Sequence, residues 1–204
     1  MYQLYYLPGA CSLATQVVLR ELKQPVQLID KQSVADFHTI NPVGTVPVLI
    51  DGEQTLREGA AVMLYLLTKH DSHLLPSDDP KAWQQAIQNI MFANATMHPA
   101  YSRLFFAASA IDNNDTRQQV FDAAAASISA LWQVVEIQLQ HQPFLGGERV
   151  SAADIMLAVY SRWGASFPVT ITIPEKTAQM IERVITMPSF QQSLQAEQPK
   201  SALA

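Results

Sequence analysis

The chain has one cysteine, Cys11, in 204 residues. A single thiol excludes an internal disulfide framework and a cysteine-rich zinc site, and it suits a reducing cytoplasm. Charge is scarce: 15% of residues are charged, and the net charge is −5. Without a basic excess, nucleic acid and an anionic membrane are poor candidates for the main partner. No run of about 18 uncharged apolar residues is visible, which predicts no membrane-spanning helix. The N-terminal MYQLYYLPGA has no basic start followed by a long apolar run, so no secretory signal is expected. Internal repeats and low-complexity blocks are missing as well. Apolar residues make up 49% of the chain, a globular composition. The length suits one large domain or two small ones sharing an interface.

The first 70 or so residues change period often. Tyr2 to Leu7 reads as a short aromatic and aliphatic strand, broken at Pro8-Gly9. Cys11 to Glu21 places Leu13, Val17 and Val18 near one helical face. Pro25 to Ile29 predicts a second strand, Val34 to Ile40 one or two helical turns, Val46 to Ile50 a third strand and Gln54 to Leu56 a fourth. Gly59 to Lys69 predicts an apolar helix, which completes the order β-α-β-α-β-β-α. A polar stretch with two prolines, HDSHLLPSDDPKA, follows and reads as a linker. Beyond it the pattern is helical: Ala82 to Phe106 as one long helix with a kink at Pro99, Asp115 to Gln140, an almost wholly apolar Ser151 to Trp163, and helices between Pro174 and Gln195 broken by Pro188. The expected fold is an α/β unit over residues 1–71, a linker over 72–81, and an all-helical unit over 82–204.

Cys11 stands where a strand breaks and a helix begins. Unpaired N–H groups and the helix dipole favour an anion there, and a thiol in such a place can titrate as low as about 3.5–7.5. The plainer reading is a small buried residue in a tight turn. Tyr5 and Tyr6 point to opposite faces of the strand; by themselves both read as core aromatics, the alternative being one in the core and the other with its hydroxyl toward the turn. In NPVGTVPVL, Pro47 precedes a strand that should be central, where a missing N–H is a liability. A cis Val46-Pro47 bond would turn the chain and free the backbone of Val46 for an extended ligand. Glu58 and Gly59 open a helix: the carboxylate either caps it or, with the N–H groups, holds a ligand's amine and carboxylate. SAAD at 151–154 has capping-box spacing. His38, His70, His73 and His141 form no metal-like pair, so no metal is expected, and His98 on the long helix reads by itself as structural.

Together, YYLPGACSLA, NPVGTVPVL, REGAAVMLYL and RVSAADIMLA resemble, in this order, the cytosolic glutathione S-transferases, and most of all the bacterial beta class. The resemblance covers essentially the whole chain. It implies a thioredoxin-like N-terminal domain, an all-helical C-terminal domain, glutathione as co-substrate, a two-fold homodimer and cytoplasmic localisation. It implies that Cys11 lies beside the glutathione sulfur, with Tyr6 and His98 as further catalytic positions. Val46 and Pro47 would meet the cysteinyl part of glutathione, and Glu58 and Gly59 its γ-glutamyl end. Met97, Tyr101, Phe105 and Trp163 would line an electrophile pocket between the domains.

The chain departs from the class in places. The segment from Asp30 to Asn41 is short, and the class lysine that binds the glycyl end has only Lys31 as a substitute. Met91 stands where the class has an asparagine, with Asn94 or Asn89 nearby, and Pro99 follows His98 directly. Three functions are therefore compared: conjugation of glutathione to a hydrophobic electrophile, thiol-disulfide exchange through Cys11, and a non-catalytic binding module that keeps the fold.

Overall fold

A computed structural model of the chain describes residues 1–76 and 78–198. They fall into two packing units, Met1–Ser72 together with the chain from Ile185 on, and His73–Val184.

The first unit contains β1 (Tyr2–Tyr6), α1 (Ser12–Glu21), β2 (Val26–Asp30), β3 (Val48–Asp51), β4 (Gln54–Leu56) and α2 (Gly59–Lys69). Its sheet has the order β2-β1-β3-β4. The β1–β2 pair is parallel, as the crossover through α1 requires, and the other two pairs are antiparallel. Leu4, Val48 and Leu49 from the sheet are fully buried with Leu13, Val17 and Val18 of α1 and Val62, Met63 and Leu66 of α2. This mixed four-stranded sheet makes the unit thioredoxin-like. The one or two helical turns expected over Val34 to Ile40 do not extend into an α-helix. In its place stand two single 3-10 turns, Lys31–Ser33 and Phe37–Thr39, begun by the side chains of Asp30 and Asp36. Of their residues only Phe37 is buried, so the segment has no apolar stripe to hold a longer helix on the sheet.

The second unit is helical: α3 (Pro80–Phe92), α4 (His98–Ala110), α5 (Asn114–Gln138), α6 (Ala152–Ser161) and α7 (Glu175–Ile185). The expected long helix over 82–106 is two helices joined by a π turn, Ala93–Met97. Pro99 explains the break's position: its ring crowds the carbonyl of Ala95 and it has no N–H to donate there, so the distortion falls one turn before the proline. Leu74 and Leu75, inside the stretch read as linker, are buried, and the Leu74 carbonyl accepts from the N–H of Ala152 at 3.3 Å.

By length and composition alone α5 is apolar enough to cross a bilayer, a property hidden in the sequence by scattered polar residues. Its Phe121, Ile128, Trp132 and Val135 are nevertheless buried in the helical unit, the pattern of a core helix.

Among the described residues the last helix is α8 (Pro188–Ala196), which belongs to the first unit and not to the helical unit expected over 82–204; the end of that range, 199–204, lies outside the described residues. Helix α8 packs on α1, where Arg20 Nε donates to Ser193 Oγ at 3.0 Å. Periodicity shows that a helix has an apolar face but not which surface that face meets, so this return was invisible in the sequence.

The SAAD segment forms the expected capping box. Asp154 is fully buried and accepts from Leu145 N at 2.9 Å, Ser151 N at 2.8 Å and Ser151 Oγ at 2.6 Å. Burial pushes its carboxyl above the ordinary range, while these donors favour the charged form. Asp154→Ala would orphan two buried N–H groups and is expected to lower the unfolding free energy by at least about 3 kcal/mol. A denaturant midpoint that barely moves would contradict this.

Candidate functional site

Six of the singled-out residues, Tyr6, Cys11, Val46, Pro47, Glu58 and Gly59, lie in the first unit; Met97, His98, Tyr101, Phe105 and Trp163 lie in the second.

In the first unit, β1 leads into the turn that carries Cys11. Ser12 fastens this turn: its Oγ accepts from Leu7 N at 3.3 Å and lies 3.4 Å from the Leu7 carbonyl. Cys11 occupies the N-cap position of α1 with helical dihedrals and makes no side-chain cap. Its Sγ donates instead to the carbonyl of Val46 at 3.3 Å. Of the two readings of this position, the acidic thiol is the one its surroundings oppose. Burial pushes the Cys11 thiol up to about 11, against the N–H groups of Cys11 and Ser12 that favour the thiolate.

The Val46-Pro47 peptide is cis, and β3 starts only at Val48. The loop before it is braced by residues the sequence reading did not single out. Asn41 is buried; its Nδ2 donates to the Thr45 carbonyl at 2.8 Å and its Oδ1 accepts from Val43 N at 3.3 Å. Arg57 Nε donates to the Ile40 carbonyl at 3.0 Å. The Asn-Pro-Val-Gly run was a turn signal of the kind that could have flagged Asn41. Gly44, at φ +76°, lies against the His38 ring, so a side chain there would be both strained and obstructed. Lys31 donates to the Gly44 carbonyl and lies over the Phe37 ring. Its ammonium therefore braces the loop.

Glu58 is exposed, stands at φ +67°, and makes no capping hydrogen bond at the start of α2. The capping reading therefore fails. The first N–H groups of α2 have no intrahelical acceptors and point toward the glutamate's end of the helix. Tyr6 is partly buried. Burial raises its phenol, and the carboxylates of Asp30 and Glu197 raise it further, so it remains a hydroxyl at neutral pH. Tyr5 packs on Phe37, with ring centroids 5.6 Å apart.

In the second unit an aromatic cluster forms around Trp163. The His98 ring meets Tyr160 and Trp163 edge-on at 5.2 and 5.1 Å, and Phe105 meets Trp163 at 5.9 Å. Burial lowers the His98 pKa, which favours the neutral imidazole. Met97 and Tyr101 are fully buried, and the Tyr101 hydroxyl accepts from Trp132 Nε1 at 3.0 Å. These two are core side chains here, with no surface to offer an electrophile; Phe105 is 46% exposed and Trp163 8%. Asn89 is buried and accepts from Gln85 at 3.0 Å.

A thioredoxin-like unit with a cysteine at its first turn and a cis-proline loop beside it, followed by a helical unit, defines a class of fold. Comparison with known proteins identifies the family. Residues 11–76 match the family described as glutathione S-transferase, N-terminal domain. Glutathione S-transferase GST-4.5 of Xanthomonas campestris is 29% identical over 200 residues, covering 96% of this chain and 98% of the relative. Among solved structures, a glutathione S-transferase from Xylella fastidiosa superposes with a TM-score of 0.85 at 30% identity, covering 97% of this chain and 98% of that one. A sphingomonad glutathione S-transferase solved with glutathione gives 0.82 at 26% identity, covering 96% and 98%. A bacterial beta class enzyme from Sphingomonas chungbukensis gives 0.81 at 27% identity, again covering 96% and 98%. The chain belongs to the glutathione S-transferase family.

With Cys11 the only thiol, alkylation reads its ionisation directly. The rate with iodoacetamide in the free protein is expected to climb without a plateau until about pH 10 or above. A plateau below pH 8 would mean that the helix N-terminus outweighs burial.

Proposed function

We propose that the chain binds reduced glutathione in its first unit and conjugates the glutathione thiolate to an apolar electrophile. The observation that carries this reading is Glu58, a non-glycine residue at φ +67° whose carboxylate leaves the α2 N-terminus uncapped. Such a conformation costs about 1–3 kcal/mol and tends to persist where function holds it. The γ-glutamyl end of glutathione carries both groups that fit: a carboxylate for the α2 N–H groups at Gly59, and an amine for the Glu58 carboxylate. Val46, ahead of Pro47, would offer its backbone to the cysteinyl part. Family membership and the relative solved with glutathione support the same assignment.

In the reaction the glutathione thiol loses its proton to solvent. The thiolate attacks an electrophilic carbon, an S–C bond forms, and the leaving group departs with its electron pair. The Tyr6 hydroxyl would act as a hydrogen-bond donor to that sulfur, with Cys11, protonated and donating to Val46, beside it. Neutral His98 and the edges of Phe105 and Trp163 would offer the electrophile a largely apolar surface. A protonated Cys11 is a poor attacking thiol, which favours conjugation over thiol-disulfide exchange. A homodimer in a reducing cytoplasm completes the proposal. The exposed Val43 and Phe106, at 67% and 66%, are in keeping with an interface, and light scattering should give twice the chain mass.

Glutathione titrated into the reduced protein in a calorimeter tests the site. Glu58→Gly removes the carboxylate and relieves the backbone. It is expected to weaken binding at least tenfold, about 1.4 kcal/mol, with no fall in melting temperature. Unchanged affinity would remove Glu58 from the site. Cys11→Ala is expected to retain much of the conjugating activity with a halogenated aromatic; its complete loss would favour a nucleophilic Cys11 instead.

A further inference from the structure

The end of the chain returns to the turn that carries Cys11. Glu197, just past α8, presents its two carboxylate oxygens to two donors. Oε2 accepts from the Gly9 N–H at 2.8 Å and Oε1 from Gln16 Nε2 at 2.7 Å. Gly9 precedes Cys11 and Gln16 lies one helical turn and a half beyond it, so one anion brackets the turn on both sides.

The Gln16 side chain is buried, 1% exposed, and its Oε1 has no hydrogen-bond partner. Flipping the amide would turn that oxygen against the carboxylate, so Glu197 sets its orientation. A buried amide held in this way, with one atom unsatisfied, is costly to keep unless it fastens something. The segment it fastens is short. Ala10 N donates to the Leu7 carbonyl at 3.0 Å, Leu13 N to the Ala10 carbonyl at 3.2 Å, and Cys11 Sγ to Val46 at 3.3 Å. The same carboxylate also helps to raise the Tyr6 phenol pKa.

We infer that Glu197 is a positioning residue, whose carboxylate clamps the segment from Gly9 to Gln16 and thereby holds the Cys11 sulfur on the Val46 carbonyl, away from water. A part for this clamp in turnover rests on the glutathione reading. The clamp itself does not, and its test contains no glutathione.

The full-length protein, Glu197→Gln and Glu197→Ala are alkylated with iodoacetamide at pH 8, and each is melted thermally. Glu197→Ala is expected to react at least about tenfold faster than the parent, because a released sulfur regains water and thiolate; one unit of thiol pKa is tenfold in thiolate. Glu197→Gln keeps one acceptor oxygen and should fall between the two. That partial rescue, with melting temperatures alike, separates positioning from a general loosening of the fold. If neither variant reacts faster than the parent, the inference is overturned. If Glu197→Ala melts below the assay temperature, Glu197→Gln decides alone: a faster rate supports the clamp and an unchanged rate overturns it. Loss of glutathione binding by the parent would sink the transferase reading and leave this result standing.

Discussion

The hydrogen bond from Cys11 Sγ to the Val46 carbonyl, at 3.3 Å, joins the two loops from which the first unit's chemistry is built. One loop ends β1 and starts α1; the other ends in the cis Val46-Pro47 peptide and starts β3. Since β1 and β3 are neighbours in the sheet, with Tyr5 opposite Val48, sheet register alone brings the loops to the same end. Burial around this contact decides the state of the sulfur. A helix N-terminus offers an anion about 0.3–1 kcal/mol, at most about 2. Withdrawal from water works the other way and wins, leaving a thiol that donates. A shift of either loop that admitted water would reverse the balance, which is why the bracing by Asn41, Lys31, Ser12 and Glu197 bears on reactivity as well as on shape.

How much of this could be read from residues alone depends on the range of the cause. Local causes were legible. Pro8-Gly9 broke β1 where expected, the apolar run from Gly59 to Lys69 became α2 with those bounds, and the Ser151–Asp154 spacing became a capping box. Each rests on residues within a few positions of one another. Causes at long range were not legible. The pKa of Cys11 depends on burial by the rest of the unit, and its Sγ contact is with a carbonyl 35 positions away. The bond from Gly9 to Glu197 spans 188 positions, and no period or motif points to it. Met97 and Tyr101 show the same limit: the resemblance placed them with Phe105 and Trp163, but only packing shows that they face inward.

In the helical unit the π turn at Ala93–Met97 has a consequence for His98. Widening the helix just before this residue changes the angle at which its side chain leaves the axis. The ring ends edge-on to two aromatic neighbours, Tyr160 and Trp163. That setting withdraws it from water and lowers its pKa. Pro99, a departure from the class in the sequence, is part of what creates this geometry.

Among the described residues, three that are not glycine have positive φ: Lys23, Glu58 and Asp71. Lys23 and Asp71 follow α1 and α2, where the N–H groups of Gln24 and Ser72 reach back to the carbonyls of Leu19 and Leu67. This is the bond pattern of a helix C-terminus that ends in a left-handed residue, so these two need no other explanation. Glu58 stands at the beginning of a helix, where an N-cap ordinarily has extended backbone and its side chain accepts from the first turn. It has neither feature. Glycine would meet the backbone requirement more cheaply, and serine or aspartate would cap the helix better. A glutamate suits the position only if its carboxylate is needed outside the fold, beside N–H groups left free for something else. Local stability does not account for this residue, and that is the physical ground on which the proposed γ-glutamyl contact rests.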